Sequence, residues 1–511
     1  MNTQTNEEVV AVVSPRSIGG TSLYEMPEPI TSENVKEFHS TEDDIRSTVR
    51  ELRRLGFNVL QIGQTTVSIG GPRKLYEDAF GTKLRRQKKE VFVGKEEEFY
   101  TPPGEPAEQV LRAPAELANL IEGVALAEPP ILFQTPSPLP PIAPPDPAAY
   151  RYLFVPDEVG LILNADRVHR MGTAGKGVKI AMVDTGFYRH PFYGWHGYRV
   201  RSTVLGPGAS DPDKDNVSHG TGEAANIFAT APEAELIPVK MASDTVGAFN
   251  AAVAQNPHVI TNSWGYDIDK APCSLVPYLK ALEAAVANAV ANGIVVCFSA
   301  GNGHYGFPGS HPDVISVGGV HVKYPFTSYA DLEASSYASS FDSCLYSGRH
   351  VPDFCGLVGR NFNNTAPLIM LPVQPGSSLD LPNTGATNDG WGVFSGTSAA
   401  SPQVAGVVAL ILEKNPALKP AEVKSLLINT ATDVKTGTSA MGDIAGSGPD
   451  DATGAGLVNA KWAYIKTMGS VAVQFFEATP ELQAKMIASG QVPQVSADFV
   501  EDLLETLRST R

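Results

Sequence analysis

The sequence predicts an α/β fold, a doubly wound parallel sheet preceded by a small α+β, ferredoxin-like module. Three observations predict it. Between residues 178 and 412, short near-continuous apolar runs alternate with longer segments whose apolar residues recur at helical spacing, the pattern of parallel strands covered on both faces by helices. Before them stands a shorter region that reads β-α-β-β-α-β. Residues 132–147 (LFQTPSPLPPIAPPDP) part the two, because so dense a proline content precludes helix and central strand and favours an extended linker.

In the first region, residues 8–13 (EVVAVV) read as a strand and 40–55 as a helix with Ser40 or Thr41 at its N-cap. Residues 57–62 and 65–69 read as short strands around a turn that contains Gly63. Residues 72–80 read as a second helix that Gly81 stops, and 120–127 as a last strand. Such a module hosts many activities and by itself names none.

In the second region, 178–183 (VKIAMV) is a strand buried on both faces, 219–229 a helix and 234–239 the next strand. Leu275, Leu279, Leu282, Val286 and Val290 mark a helix ended by Gly293, and 294–299 and 314–317 are further strands. Residues 399–412 form a helix too apolar for a surface, and beyond about Tyr464 the chain becomes a polar, helical tail that ends in 498–505. The expected division is 1–131 module, 132–150 linker, 151–465 main domain and 466–511 tail. In a sheet of this kind, active sites lie outside the carboxyl ends of the strands.

Composition narrows the function. The 511 residues carry a formal net charge of -16 and a pI near 5.1, which opposes non-specific nucleic-acid binding. No stretch approaches the roughly 20 apolar residues of a membrane span, so no membrane partner is expected. The first residues lack the basic and apolar segments of a secretory leader; a cytoplasmic location is expected, with export by another route the alternative. The four cysteines are too few for a disulfide scaffold. Cys297 reads as a buried small hydrophobe, while Cys344 and Cys355 are near enough in sequence to pair, which spacing alone does not decide. None has a CxxC or CxxH partner, so no zinc site is expected.

Four segments sit where such a sheet would hold chemistry. Asp184 follows the strand 178–183 directly. His219 opens a helix in Ser218-His219-Gly220-Thr221-Gly222, with an unperturbed pKa suited to a general base. Asn302 follows the strand 294–299, where a side-chain amide can donate to a developing oxyanion. Ser398 opens the most apolar helix, in Gly396-Thr397-Ser398-Ala399-Ala400-Ser401-Pro402, where unpaired N–H groups and the helix dipole favour negative charge. Pro402 suits a first turn. Each segment alone reads equally well as a turn or a cap. Together, in the order Asp…His…Asn…Ser, they give the order of a subtilisin-type triad.

On these segments, and on Thr261-Asn262-Ser263-Trp264-Gly265, Gly306-Phe307-Pro308-Gly309, Pro352-Asp353 and residues 454–460, the chain resembles the subtilases, the serine peptidases of family S8, from about Asp157 to Ala463. The resemblance implies a subtilisin-like fold and a serine endopeptidase with no cofactor, acting on protein or peptide substrates. It implies that Ser398 attacks the scissile carbonyl, His219 carries the proton, Asp184 orients the imidazole and Asn302 holds the oxyanion. Ser263, Trp264 and Gly265 would pair with extended substrate, and Ala300 and Gly301 would wall the pocket for the residue before the cut. The Trp264 side chain is expected to narrow or reshape the groove.

The chain departs from the family in three places. Gly222 stands where the family has a second His, and Glu223 follows; Glu223 reads as a solvated or structural residue rather than a catalytic one. The step from Ala229 to Ala231-Pro232-Glu233 leaves out a calcium loop common in relatives, and the acidic stretch 211–215 reads as a solvated loop, so no metal is expected. Residues 361–389 exceed the family core and are expected to form a loop near Ser398. The N-terminal segment 67–85 resembles the propeptide of sedolisins, which implies a zymogen inhibited by its own N-terminal module. Two other readings are a protease dedicated to one partner and a non-catalytic binding module on the same scaffold.

Overall fold

The computed structural model describes residues 8–26, 28–92, 95–106, 109–132, 152–268, 273–323, 326–359, 367–381, 388–469, 475 and 477–490. The linker expected at 132–150 therefore falls, beyond Leu132, outside the described residues, as does the tail segment 498–505.

The N-terminal module contains β1 (Glu8–Pro15), α1 (Glu42–Arg54), β2 (Asn58–Ile62), β3 (Val67–Pro72), α2 (Arg73–Phe80), a hairpin of β4 (Arg85–Phe92) and β5 (Lys95–Thr101), β6 (Ile121–Leu126) and the short β7 (Ile131–Leu132). Its antiparallel sheet runs β2-β3-β1-β6, so the first strand lies between the third and the last, as the β-α-β-β-α-β reading requires. Thr41 caps α1 by accepting from Asp44 N, and Gly81 ends α2 at φ 65°.

Strand β1 is apolar on both sides because both are covered. Val9, Ala11 and Val13 face the module's own core with Leu52 and Tyr76. Val10 and Val12 join a different core, shared with helices of the second region. The hairpin was not expected from the sequence. Its strands carry charges where alternating apolar residues would signal a sheet, and it is held instead by cross-strand ion pairs such as Lys88–Glu96 at 3.3 Å and Arg86–Glu98.

The second region holds β8 (Tyr152–Phe154), β9 (Lys179–Asp184), α3 (His219–Thr230), β10 (Glu235–Lys240), α4 (Thr245–Val253), β11 (Val259–Asn262), β12 (Trp264–Asp267), α5 (Pro277–Ala291), β13 (Val295–Ser299), β14 (Ile315–Val322), β15 (Phe354–Leu357), β16 (Leu368–Pro372), β17 (Trp391–Phe394) and α6 (Thr397–Lys414). Strands β10-β9-β11-β13-β14-β15 form a parallel run, with the antiparallel edge strand Leu332–Ala334 on β14. The chain leaves β9 toward β10 and then returns to place β11 on its other side, which creates a switch point beside the end of β9. One core, containing α3 and α6, covers one face, and a second, containing α4 and α5, covers the other. That second core includes Val10, Val12, Ala125 and Leu132, so the N-terminal module packs onto the outside of α4 and α5.

The stretch 361–389 is not simply a loop. Within its described part, β16 pairs in parallel with β8 and antiparallel with β17, making a three-stranded sheet; the apolar run Leu368-Ile369-Met370-Leu371 was the signal for it. Cys344 pairs with Cys273, 71 residues earlier in the chain, and not with Cys355. Cys297 and Cys355 are free and buried, the former as expected. No described helix is long and apolar enough to cross a membrane.

Candidate active site

Asp184 closes β9, Ser263 follows β11 and Ser299 closes β13, at the same edge of three adjacent strands. The edge is where the sheet's backbone pairing stops and where the starts of neighbouring helices meet it, and all three side chains are buried there.

The start of α3 is built around Asp215. Its Oδ1 accepts from Ser218 N at 2.8 Å and Thr185 Oγ1 at 2.8 Å, and its Oδ2 from Thr221 N at 2.8 Å and Thr221 Oγ1 at 2.7 Å. These bonds satisfy one orphan donor of the helix start, Thr221 N, and hold Ser218 in a left-handed conformation, φ 70°, uncommon for a residue with a side chain. The reading of 211–215 as a solvated loop holds for residues 211–214, which are exposed, and is corrected for Asp215, which is wholly buried. The carbonyls of Asp211 and Lys214 accept from Lys240 Nζ at 3.0 and 2.8 Å. Among the described residues no group of three or more His, Cys, Asp or Glu side chains is arranged to hold a metal ion.

With α3 fixed, His219 Nδ1 meets Asp184 Oδ1 at 2.8 Å, and both side chains are buried. Asp184 Oδ1 also accepts from Thr185 N at 2.7 Å. Burial opposes a charge on the imidazole, but the Asp184 carboxylate, by charge and hydrogen bond, and then Glu223 and Asp215 outweigh it, and the His219 pKa is raised. Nε2 of His219 has no hydrogen-bond partner.

Ser398 is the second residue of α6. Gly396 precedes it at φ 121°, a conformation that only glycine adopts readily. Pro402 lies inside the helix rather than in its first turn. Lacking an N–H, it leaves the Ser398 carbonyl without its usual helical donor. Ser263 Oγ supplies one at 2.9 Å, while Ser398 Oγ donates to the Ser263 carbonyl at 3.2 Å. The proline therefore ties the helix start to the end of β11.

Asn302 accepts at Oδ1 from Thr397 N at 3.0 Å and Thr397 Oγ1 at 3.1 Å, which fixes the rotation of its amide beside Ser398. Thr397 Oγ1 also accepts from Gly301 N at 3.2 Å. Ala300 is buried with Phe341 and Val351 behind it, and Gly301 has φ 114°. The expectation for the Trp264 side chain is corrected. It is fully buried, donates its indole N–H to the Val183 carbonyl at 2.8 Å and packs edge-on to Phe298, so only its backbone reaches the groove. That backbone is paired: Trp264 and Gly265 lie antiparallel to Leu132 and Ile131.

Two further positions distinguish this site. A Cβ at Gly222 would lie 2.4 Å from Phe394 Cζ; the ring fills the space that a side chain there would need. Glu223, expected to be solvated or structural, is fully buried and not solvated. Its Oε2 accepts from Asn226 Nδ2 at 2.9 Å, and its Oε1 lies 4.0 Å from His219 Nε2 without a hydrogen-bond partner. Burial raises its pKa against the pull of His219 and Asn226.

Introducing the histidine by Gly222→His should overpack this contact and cost about 1–3 kcal/mol, read as a lower urea midpoint. Phe394→Ala should recover part of that loss in the double variant. Additive losses would show that the ring does not set the choice of glycine.

The chain is similar to known proteins. The sequence profile of the subtilase family, peptidase S8, matches residues 175–465, more than half of the chain. Subtilisin NAT of Bacillus subtilis subsp. natto is 30% identical over 295 residues, covering 53% of this chain and 64% of that protein, just under two thirds of its length. Subtilisin Savinase of Lederbergia lenta is 26% identical over 313 residues, covering 59% of this chain and 96% of that one. In fold, the chain is similar to the crystal structure of fervidolysin from Fervidobacterium pennivorans, a keratinolytic enzyme related to subtilisin, with a TM-score of 0.54, 19% identity, and coverage of 91% of this chain and 62% of that one. With its parallel sheet, its Asp184–His219 pair and the profile match over most of the second region, the chain belongs to the subtilase family.

Proposed function

We propose that the protein is a serine endopeptidase with Asp184, His219 and Ser398 as its triad, made as a zymogen that its N-terminal module inhibits. The observation that carries the reading is that the buried Asp184–His219 pair stands at the end of β9 while the N-terminus of α6 is bonded to Ser263 at the end of the adjacent β11, with Ser398 Oγ on the Ser263 carbonyl. Asp184 holds Nδ1–H and so leaves Nε2 as the base. Ser398 gives its proton to Nε2 as Oγ attacks the carbonyl carbon, and the same proton then passes to the leaving amine. The charge that develops on the substrate oxygen faces the N-terminus of an 18-residue helix and the amide of Asn302, whose oxygen is already held by Thr397. Water then deacylates Ser398 by the same route. The leaving nitrogen and the acyl group define the substrate as a protein or peptide.

Ser398→Ala should leave the fold intact and lower kcat by about 10⁶, the loss found on removing a subtilisin nucleophile. Asn302→Ala should lower it by about 10²–10³, again the subtilisin scale. Peptide turnover that survives Ser398→Ala would reject the triad. A binding module that kept the scaffold would turn over nothing in either form, while a protease dedicated to one partner would cleave selected peptides but not casein.

The inhibitory part of the proposal rests on β7. Ile131 and Leu132 occupy the backbone of Trp264 and Gly265, the positions that would otherwise pair with substrate. Upstream, Glu128 is clamped by Tyr266, whose hydroxyl donates to its carbonyl at 2.9 Å, and by Lys89 at 2.5 Å. A covalent tether raises the local concentration of this strand, so modest affinity suffices to block the groove. Self-cleavage between about Ala127 and Tyr150 would release it, and the paired strand favours the stretch after Leu132. The Cys273–Cys344 bridge bears on the compartment: such bonds persist in oxidising surroundings and are rare in the cytosol, which counts against the cytoplasmic expectation.

Residues 1–132 supplied in trans should slow peptide hydrolysis by residues 151–511 and assist their folding. Val12→Asp, which puts a carboxylate against the α4–α5 face, should weaken that inhibition by more than about 100-fold, given the cost of burying an unpaired charge. If the catalytic half folds unaided, and the added module neither assists it nor slows it, the module is no propeptide.

A further inference from the structure

Glu223 is one helical turn beyond His219 on α3, and so shares its face. The imidazole consequently stands between two buried carboxylates, Asp184 on Nδ1 at 2.8 Å and Glu223 facing Nε2 at 4.0 Å. A purely structural reading accounts for half of the glutamate. Its Oε2 takes Asn226 Nδ2; Asn226 Oδ1 takes Gln403 Nε2 at 3.1 Å; and Gln403 bonds both the N–H and the carbonyl of Leu357. That chain braces α3 against α6. It leaves Oε1 buried, without a hydrogen bond, on the side of Nε2. A brace needs no such atom; the uncharged amide of a glutamine would accept from Asn226 equally well.

The other groups facing the pair sharpen the case. Asp184 stands at the end of β9. Asp215, from the turn before α3, has both oxygens committed to the helix start. Tyr193, from the short helix Pro191–Trp195, gives its hydroxyl to the Thr221 carbonyl. Ser398, Gln403 and Phe394, contributed by α6 and β17, carry no charge. A proton arriving at Nε2 thus finds acids around it, and Glu223 Oε1 is the one whose hydrogen-bonding capacity is unspent on that side of the ring.

We propose that Glu223 is a positioning residue for the base: its carboxylate is a second counter-charge for the imidazolium formed when His219 takes the Ser398 proton, so the His219–Glu223 pair sets the pH at which the base becomes competent. This rests on the triad reading above. The sign follows from charge. A carboxylate beside Nε2 favours the protonated ring, so the acid limb of activity lies higher than it would for His219 with Asp184 alone, and the imidazolium-bearing transition state is favoured as well. Burial that raises the Glu223 pKa makes the two groups titrate as a linked pair.

The test uses the active enzyme, with Glu223→Gln, which keeps an oxygen for Asn226, and Glu223→Asp, which keeps the charge. In Glu223→Gln the acid limb of kcat/KM should move down by about one pH unit, and the limiting rate above it should fall by about three- to tenfold. Glu223→Asp should restore the position of the limb. A parallel measurement needs no turnover: NMR titration of His219 in Ser398→Ala, with and without Glu223→Gln, should show the imidazole pKa fall by a similar amount. A limb and an NMR titration both unmoved by Glu223→Gln would overturn the proposal and leave the residue a brace. A shifted NMR titration, together with no peptidase activity in the enzyme that keeps Ser398, would sustain the pairing and reject the triad reading instead. Should Glu223→Gln not fold, the full-length Ser398→Ala chain decides: His219 must follow two linked protonation steps, and a single step overturns the inference.

Discussion

The close approach of α3 to α6 is the contact on which the site depends, because each helix begins with one member of the proposed triad. At the crossing there is no room for a side chain. A Cβ at Gly406 would lie 2.0 Å from Thr230 Oγ1 and 2.6 Å from the Ile227 carbonyl. Thr230 Oγ1 donates to the Gln403 carbonyl at 2.9 Å, and Gln403 reaches Asn226. Two apolar helices could slide along each other at small cost; these buried hydrogen bonds are lost on sliding, which gives the pair one register. Upstream, Asp215 fixes where α3 starts, and the Ser263–Ser398 exchange fixes where α6 starts. His219 and Ser398 are therefore positioned by polar contacts at both ends of an apolar interface.

The same economy appears where the N-terminal module meets the second region. Its sheet could have exposed one face to water, as antiparallel sheets commonly do. Instead Val10, Val12 and Ala125 pass into the core around α4 and α5, and the strand that follows runs directly onto the backbone of Trp264 and Gly265. Packing and groove occupancy are thus one arrangement: the interface aims β7. This is the physical content behind the proposed self-inhibition.

Much of this was legible in the sequence, for identifiable reasons. The parallel strands announced themselves because strands covered on both faces must be apolar throughout, as in residues 178–183, and the four chemical segments stood at strand ends and helix starts where such a sheet requires them. What was missed depended on partners distant in sequence. Asp215 sits in an acidic, exposed-looking run, and only the fold brings Thr185 and Thr221 to it. Trp264 adjoins the groove residues but turns into the core, a choice set by Phe298 and the Val183 carbonyl. The hairpin Arg85–Thr101 has no apolar alternation to read. Spacing left open whether Cys344 pairs with Cys355, and only the fold brings Cys344 to the more distant Cys273. One signal was available and unused: residues 9–13 are apolar at odd and even positions alike, which in an antiparallel strand already implies a second covered face.

The most direct measurement of the central claim, that the sheet edge makes Ser398 an activated nucleophile, is the site of covalent reaction. A fluorophosphonate reacts with activated serines and leaves an adduct that peptide mapping by mass spectrometry can place. On the enzyme freed of its N-terminal module, one adduct on Ser398 is predicted, forming more slowly as the pH falls and His219 is protonated. An adduct on another serine, or labelling that persists unchanged in Ser398→Ala, would contradict the account.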